Sequence, residues 1–152
     1  MARQAADQIH ALAIPTRAGS LLVPSATIAE VVNVSSLAPL PLSPAWVVGA
    51  VGWRSLAVTV VSFEALLGGT ATAIGPTSKA VVFYPLAGRP QTEFFAVLSS
   101  AEPRPQPLDA SAVAVAPNDL PESPLVAAGL QVNGQSLWIP NFDEWKSAFY
   151  PR

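Results

Sequence analysis

The chain has 152 residues, 51% of them apolar and only 12% charged, with a formal charge of -2 and a sequence pI near 5.2. That length suits one domain or two tightly fused halves, and the charge balance gives no basic patch, which argues against a nucleic-acid surface. There is no cysteine and a single histidine, His10, so a disulfide framework, a thiolate metal site and an imidazole cluster are all excluded.

At the N-terminus, Asp7 and His10 interrupt the apolar stretch an export signal needs. No run reaches the roughly 18 apolar residues of a membrane span, because Gly49, Gly52, Arg54 and Ser62 break the longest candidate. A soluble cytoplasmic protein with no membrane insertion is expected, as one domain over residues 6–150.

Short apolar runs predict strands at residues 9–14, 20–23, 47–51, 56–61, 80–84, 94–98, 130–132 and 137–139, each bounded by Gly, Pro or Ser. Sixteen prolines keep long helices out of most of the chain and suit strand ends and loops. The expectation is a mainly β, barrel-like fold. Three short helices are predicted within it. Ser25 caps residues 26–32, with Ile28, Val31 and Val32 inward and Glu30 outward. Ser62 caps residues 63–67, closed by Gly68 and Gly69. Asn141 caps residues 142–149, with Glu144 three residues on and Trp145 and Phe149 one turn apart. Asn133-Gly134 is a two-residue hairpin turn, and residues 101–118, carrying Pro103, Pro105, Pro107 and Pro117, read as an extended crossover.

No catalytic constellation emerges. His10, the lone histidine, lies in the expected first strand, where it reads as a surface or satisfied half-buried residue and not as a general base. Asp143 and Glu144 are adjacent on a helix, so they diverge, and both suit its first turn. Glu64 has the same account. The glycines of Gly49-Ala50-Val51-Gly52 lack the lysine of a phosphate loop. Neither a cofactor nor a metal is called for.

Arg54 differs in kind. It is the one cation in a long apolar stretch, set between Trp53 and Ser55 at a tight turn. It is open to two readings, a solvated turn residue or a guanidinium aimed at a partner's carboxylate, carbonyls or aromatic face. If Trp53 is buried, strand alternation turns Arg54 outward. Trp53 is either core or contact, and Glu30 is either a solvated carboxylate or part of the same surface.

Taken in order, these segments resemble the CheW-like family of chemotaxis coupling proteins. Its pattern runs V-x-E-V, a Pro-containing stretch, G-(V/I)-x-N-L-R-G, P-V-(I/V)-D-L and a helix ending L-G. Here stand Ile28-Ala29-Glu30-Val31, Pro39-Leu40-Pro41, Gly49-Ala50-Val51-Gly52-Trp53-Arg54, Thr59-Val60-Val61-Ser62-Phe63 and Leu66-Leu67-Gly68. Departures include Gly52-Trp53 for Asn-Leu, Ser55 for the glycine after the arginine, and Thr59 and Ser62 for Pro and Asp. With these departures the chain resembles a divergent branch of the family, the ChpC-type proteins of type IV pilus chemosensory systems.

The resemblance implies two intertwined five-stranded β-barrel subdomains and no enzymatic activity. It implies an adaptor that joins the cytoplasmic tip of methyl-accepting chemoreceptors to the regulatory domain of a CheA-type histidine kinase, in control of twitching motility. Carried over by position, Ile28 and Arg54 match receptor-contact positions, and Glu30 and Gly49 match positions whose side chains affect coupling. Three other readings stay open: an accessory scaffold binding only kinase or other CheW-like domains, a small-ligand binder or enzyme with a groove, and a structural β-barrel subunit.

Overall fold

The computed structural model describes residues 10–71, 73–108 and 111–151. Its strands in chain order are β1 (Ala11–Pro15), β2 (Ser20–Pro24), β3 (Ile28–Asn33), β4 (Val47–Trp53), β5 (Leu56–Val61), β6 (Lys79–Phe83), β7 (Phe95–Ser99), β8 (Arg104–Pro105), β9 (Val113–Ala114), β10 (Val126–Val132) and β11 (Gln135–Pro140). Two short α-helices join them, α1 (Phe63–Leu66) and α2 (Phe142–Phe149). The chain divides into two compact units, and it leaves the first to build the second before returning.

The first unit carries a six-stranded sheet in the order β8-β1-β2-β11-β10-β9. The Asn133-Gly134 turn is as expected: φ is 51° and 79°, and Val132 faces Gln135 across it, the mirror-image turn whose twist matches a hairpin. Ala11, Ala13, Leu22, Leu108, Val132 and Leu137 form a core on this sheet. The C-terminal helix is also as expected. Asn141 accepts a hydrogen bond from the Glu144 N–H, and the fully buried Trp145 donates its indole N–H to the Leu125 carbonyl at 3.1 Å. The Trp145 ring lies 5.8 Å from that of Phe149. Asn141→Ala removes the cap and is expected to cost about 1 kcal/mol, read as a lower midpoint in urea with an unchanged slope.

The second unit carries a five-stranded sheet in the order β3-β6-β7-β5-β4. Only β5 and β7 run parallel; the chain between them forms α1 and β6, as a parallel pairing requires a crossover. Val58, Val60, Ala80, Val82, Ala96 and Leu98 point to one side and pack with Val34 and Trp53. Ser62 caps α1 by accepting from the Ala65 N–H, and Gly68 follows with φ of 93°. Glu64 is buried in the first turn, where its carboxylate takes the Ser62 hydroxyl at 2.9 Å and the Arg17 N–H at 2.8 Å.

Several expectations need correction. The helix over residues 26–32 is instead a 3-10 turn, Ser25–Thr27, followed by β3. Isolated helices of this length are unstable, and the β-branched Ile28, Val31 and Val32 suit a pleated strand, where β6 satisfies their backbone. A register shift between Ile28 and Glu30 interrupts the alternation. The first strand begins at Ala11, leaving His10 exposed outside it, and Ile9 with residues 6–8 lies outside the described residues. Within the crossover expected over residues 101–118, residues 101–108 and 111–116 form no helix and supply the edge strands β8 and β9, Pro117–Asp119 is a 3-10 turn, and residues 109–110 lie outside the described residues. Neither sheet closes into a barrel ladder, and the sheets have six and five strands, not five each. Short strands at the edges add a sixth member that sequence patterning is too weak to reveal.

Candidate partner-binding site

The site is built on the β4–β5 hairpin. Trp53 pairs with Leu56, so Arg54 and Ser55 are the two turn residues, and both have positive φ, 46° and 65°. That conformation favours Asn-Gly or Gly-Gly. A non-glycine residue there costs roughly 1–2 kcal/mol, and this chain places two side-chain-bearing residues in succession. Ser55→Gly is therefore expected to stabilise the fold by about 1 kcal/mol, seen as a higher denaturation midpoint.

The turn aims two side chains in opposite senses. Trp53 is buried, and its ring packs on Phe94 at 4.8 Å between centroids. Arg54 stays in solvent, with 60% of its side chain exposed, and its guanidinium carbon lies 4.3 Å above the Trp53 ring centroid. Beside both is Glu30 of β3. One carboxylate oxygen, Oε1, accepts the Trp53 indole N–H at 3.1 Å and the Arg54 Nη2 at 3.3 Å.

This contact has an architectural meaning. β3 and β4 are the two outer strands of the five-stranded sheet, so a bond from Glu30 to Trp53 and Arg54 requires the sheet to curl until its edges approach. A second link spans the same seam. Ala38, five residues past the end of β3, exchanges two backbone hydrogen bonds with Ala50 of β4, each 2.9 Å long. Gly49 makes that approach possible. Its φ is 147°, and a Cβ there would stand 2.7 Å from the Ala38 carbonyl oxygen and 2.8 Å from the Leu37 Cβ.

Of the four residues singled out in the sequence, Glu30 and Arg54 are therefore in direct contact. Ile28 lies two positions earlier on β3, half-buried and paired with Phe83. Gly49 is buried in β4 and acts through the backbone. The indole link to Glu30 is not legible in the sequence, where residues 26–32 read as a helix. Phe94 and the half-exposed Tyr84, whose rings lie 5.9 Å apart, extend the aromatic surface and went unnoticed as well. Tyr84 and Phe94 also line an open groove of about 500 Å³ with Leu86 and Arg89.

The energetics set stability apart from presentation. An exposed ion pair contributes about 0–1 kcal/mol and an exposed cation–π contact about 0.5–1 kcal/mol, which together offset only part of the backbone cost of the two positive-φ turn residues. What the arrangement provides is an accessible cation with contacts to Glu30 and to the Trp53 ring. Among the described residues no group of three or more His, Cys, Asp or Glu side chains could hold a metal.

The family model of the CheW-like domain matches residues 12–92, more than half of the chain, and that stretch contains the whole Ile28, Glu30, Gly49 and Arg54 set. The chain belongs to the CheW-like domain family. Fifteen chains of solved structures match it. One is the scaffolding protein TtCheW from Thermoanaerobacter tengcongensis, at a TM-score of 0.72 and 14% identity, covering 88% of this chain and 84% of that one. The mainly β fold expected from the sequence is thus the CheW fold. No curated protein matches. No helix of this CheW-like domain, among the described residues, is long and apolar enough to cross a membrane.

Proposed function

We propose that this CheW-like protein is a non-enzymatic adaptor of chemotaxis-type signalling. It joins the cytoplasmic tip of a methyl-accepting receptor to the regulatory domain of a CheA-type histidine kinase, and it works in the cytoplasm. The observation that carries the reading is the Glu30–Trp53–Arg54 cluster. It holds a cation in solvent at a position that matches a contact position of the family, with no net gain in stability from its exposed contacts. A single oriented charge beside apolar surface suits a modest, reversible interface. The neighbour of known structure is itself titled a scaffolding protein, which supports the same class of role.

The system served is, on the chain's resemblance to ChpC-type proteins, a type IV pilus chemosensory one. A second reading draws on Trp53 and Ser55, which replace the leucine and glycine of the family's turn: an accessory scaffold that binds only kinase or other CheW-like domains. Calorimetric titration of the protein with the kinase regulatory domain and, separately, with a receptor-tip fragment decides between them. Binding to both is expected. Binding to the kinase domain alone supports the accessory scaffold, and binding to neither removes the adaptor role.

A further inference from the structure

Trp53 stands where the family pattern has leucine, and its packing against Phe94 uses the apolar ring and not the N–H. An indole adds an N–H. That N–H is spent on Glu30 Oε1 at 3.1 Å, the same oxygen that receives Arg54 Nη2 at 3.3 Å, while the ring face lies 4.3 Å below the Arg54 guanidinium carbon. We propose that Trp53 is a positioning residue, which fixes the direction in which Arg54 is offered to the partner. The inference rests on the reading of Arg54 as a contact.

The physical case concerns order. An arginine loses much rotamer freedom when it is held in one geometry, and an exposed ion pair alone does not hold two long side chains in place. Here the carboxylate is itself anchored. The Trp53 N–H sets where Oε1 sits, so Glu30 directs Arg54 instead of following it, and the ring below limits the guanidinium to one face. The turn completes the restraint, because φ of 46° at Arg54 and 65° at Ser55 fixes where the side chain leaves the backbone. The ion pair engages Nη2, and the guanidinium has further N–H donors in its planar fork for a carboxylate or carbonyl of the partner. Ordering the group before contact removes part of the cost of binding.

The test is a double-mutant cycle joined to a measurement on the free protein. Trp53→Phe keeps an aromatic ring against Phe94 and under Arg54 but removes the N–H; Trp53→Leu restores the family residue and removes both contacts. Each is made alone and together with Arg54→Ala. In the free protein, NMR relaxation of the Arg54 Nε–H is expected to show greater guanidinium mobility in Trp53→Phe and more again in Trp53→Leu.

Affinity for the kinase regulatory domain and for the receptor-tip fragment is measured in parallel. For the fragment that engages Arg54, Trp53→Phe is expected to weaken binding roughly three- to tenfold, the equivalent of one hydrogen bond. In the Arg54→Ala background it is expected to change nothing. Unchanged Arg54 mobility would overturn the proposal, and so would an equal loss of affinity in both backgrounds, which would make Trp53 a contact in its own right. If Arg54→Ala alone leaves both affinities intact, the contact reading of Arg54 fails, and the mobility measurement still decides whether Trp53 orders it.

Discussion

Arg54→Glu is expected to leave the domain folded and to weaken binding of the receptor-tip fragment by tenfold or more, on the order of 1.4 kcal/mol or above. Two effects combine. The partner loses its cation, and the new carboxylate faces Glu30, whose Oε1 lies 3.3 Å from Arg54 Nη2 in the native protein. The two acids repel and splay into solvent, so the surface changes sign where it had offered a positive group. The fold tolerates this because the site is exposed and its ion pair contributes little. The checks are titration calorimetry for affinity and a thermal melt for integrity. An unchanged affinity would show that Arg54 does not contact the receptor tip, and a collapse of the melting transition would show that it serves the fold.

Gly49→Ala is expected to have the largest effect on stability, about 3 kcal/mol. The added methyl meets the Ala38 carbonyl oxygen at 2.7 Å and the Leu37 Cβ at 2.8 Å, and alanine does not adopt φ of 147° without strain. Relief requires the segment at Ala38 to retreat from β4, which breaks the two 2.9 Å hydrogen bonds to Ala50. For a chain of this size that corresponds to a fall in Tm of roughly 6–12 °C. The family expectation that side-chain identity at this position affects coupling then has a physical route. A side chain at position 49 opens one link across the seam whose other link is Glu30 to Trp53 and Arg54. Gly52→Ala is the control. It lies on the same strand, exposed, and an added Cβ meets nothing within 4 Å. A melt of Gly49→Ala that matches the native protein would refute the account of the seam.

The sequence made much of this legible, for reasons that vary from element to element. The Asn133-Gly134 turn and the capped helix α2 follow from local chemistry that few other structures satisfy, and both stand where expected. β4 and β5 are clear because apolar runs flank a two-residue turn. β3 reads locally as a helix because Ile28, Val31 and Val32 fit one helix face, with Glu30 on the other, nearly as well as they fit a strand. What decides between the two is β6, more than forty residues away, and no local pattern carries that information. The same cause hid half of the site. Arg54 announced itself as a lone cation among apolar residues, but its contacts with Glu30 and Trp53 depend on the curl that brings β3 and β4 together, a property of the whole five-stranded sheet.

The central claim is that one small protein joins two others, and the most direct test is assembly. The receptor-tip fragment, the kinase regulatory domain and this protein are mixed in pairs and all together, and the masses of the species formed are measured by sedimentation. The account predicts a complex containing all three that forms only when this protein is present and is lost with Arg54→Glu. Binary complexes that exclude one another, or a mixture in which this protein sediments alone, would contradict it.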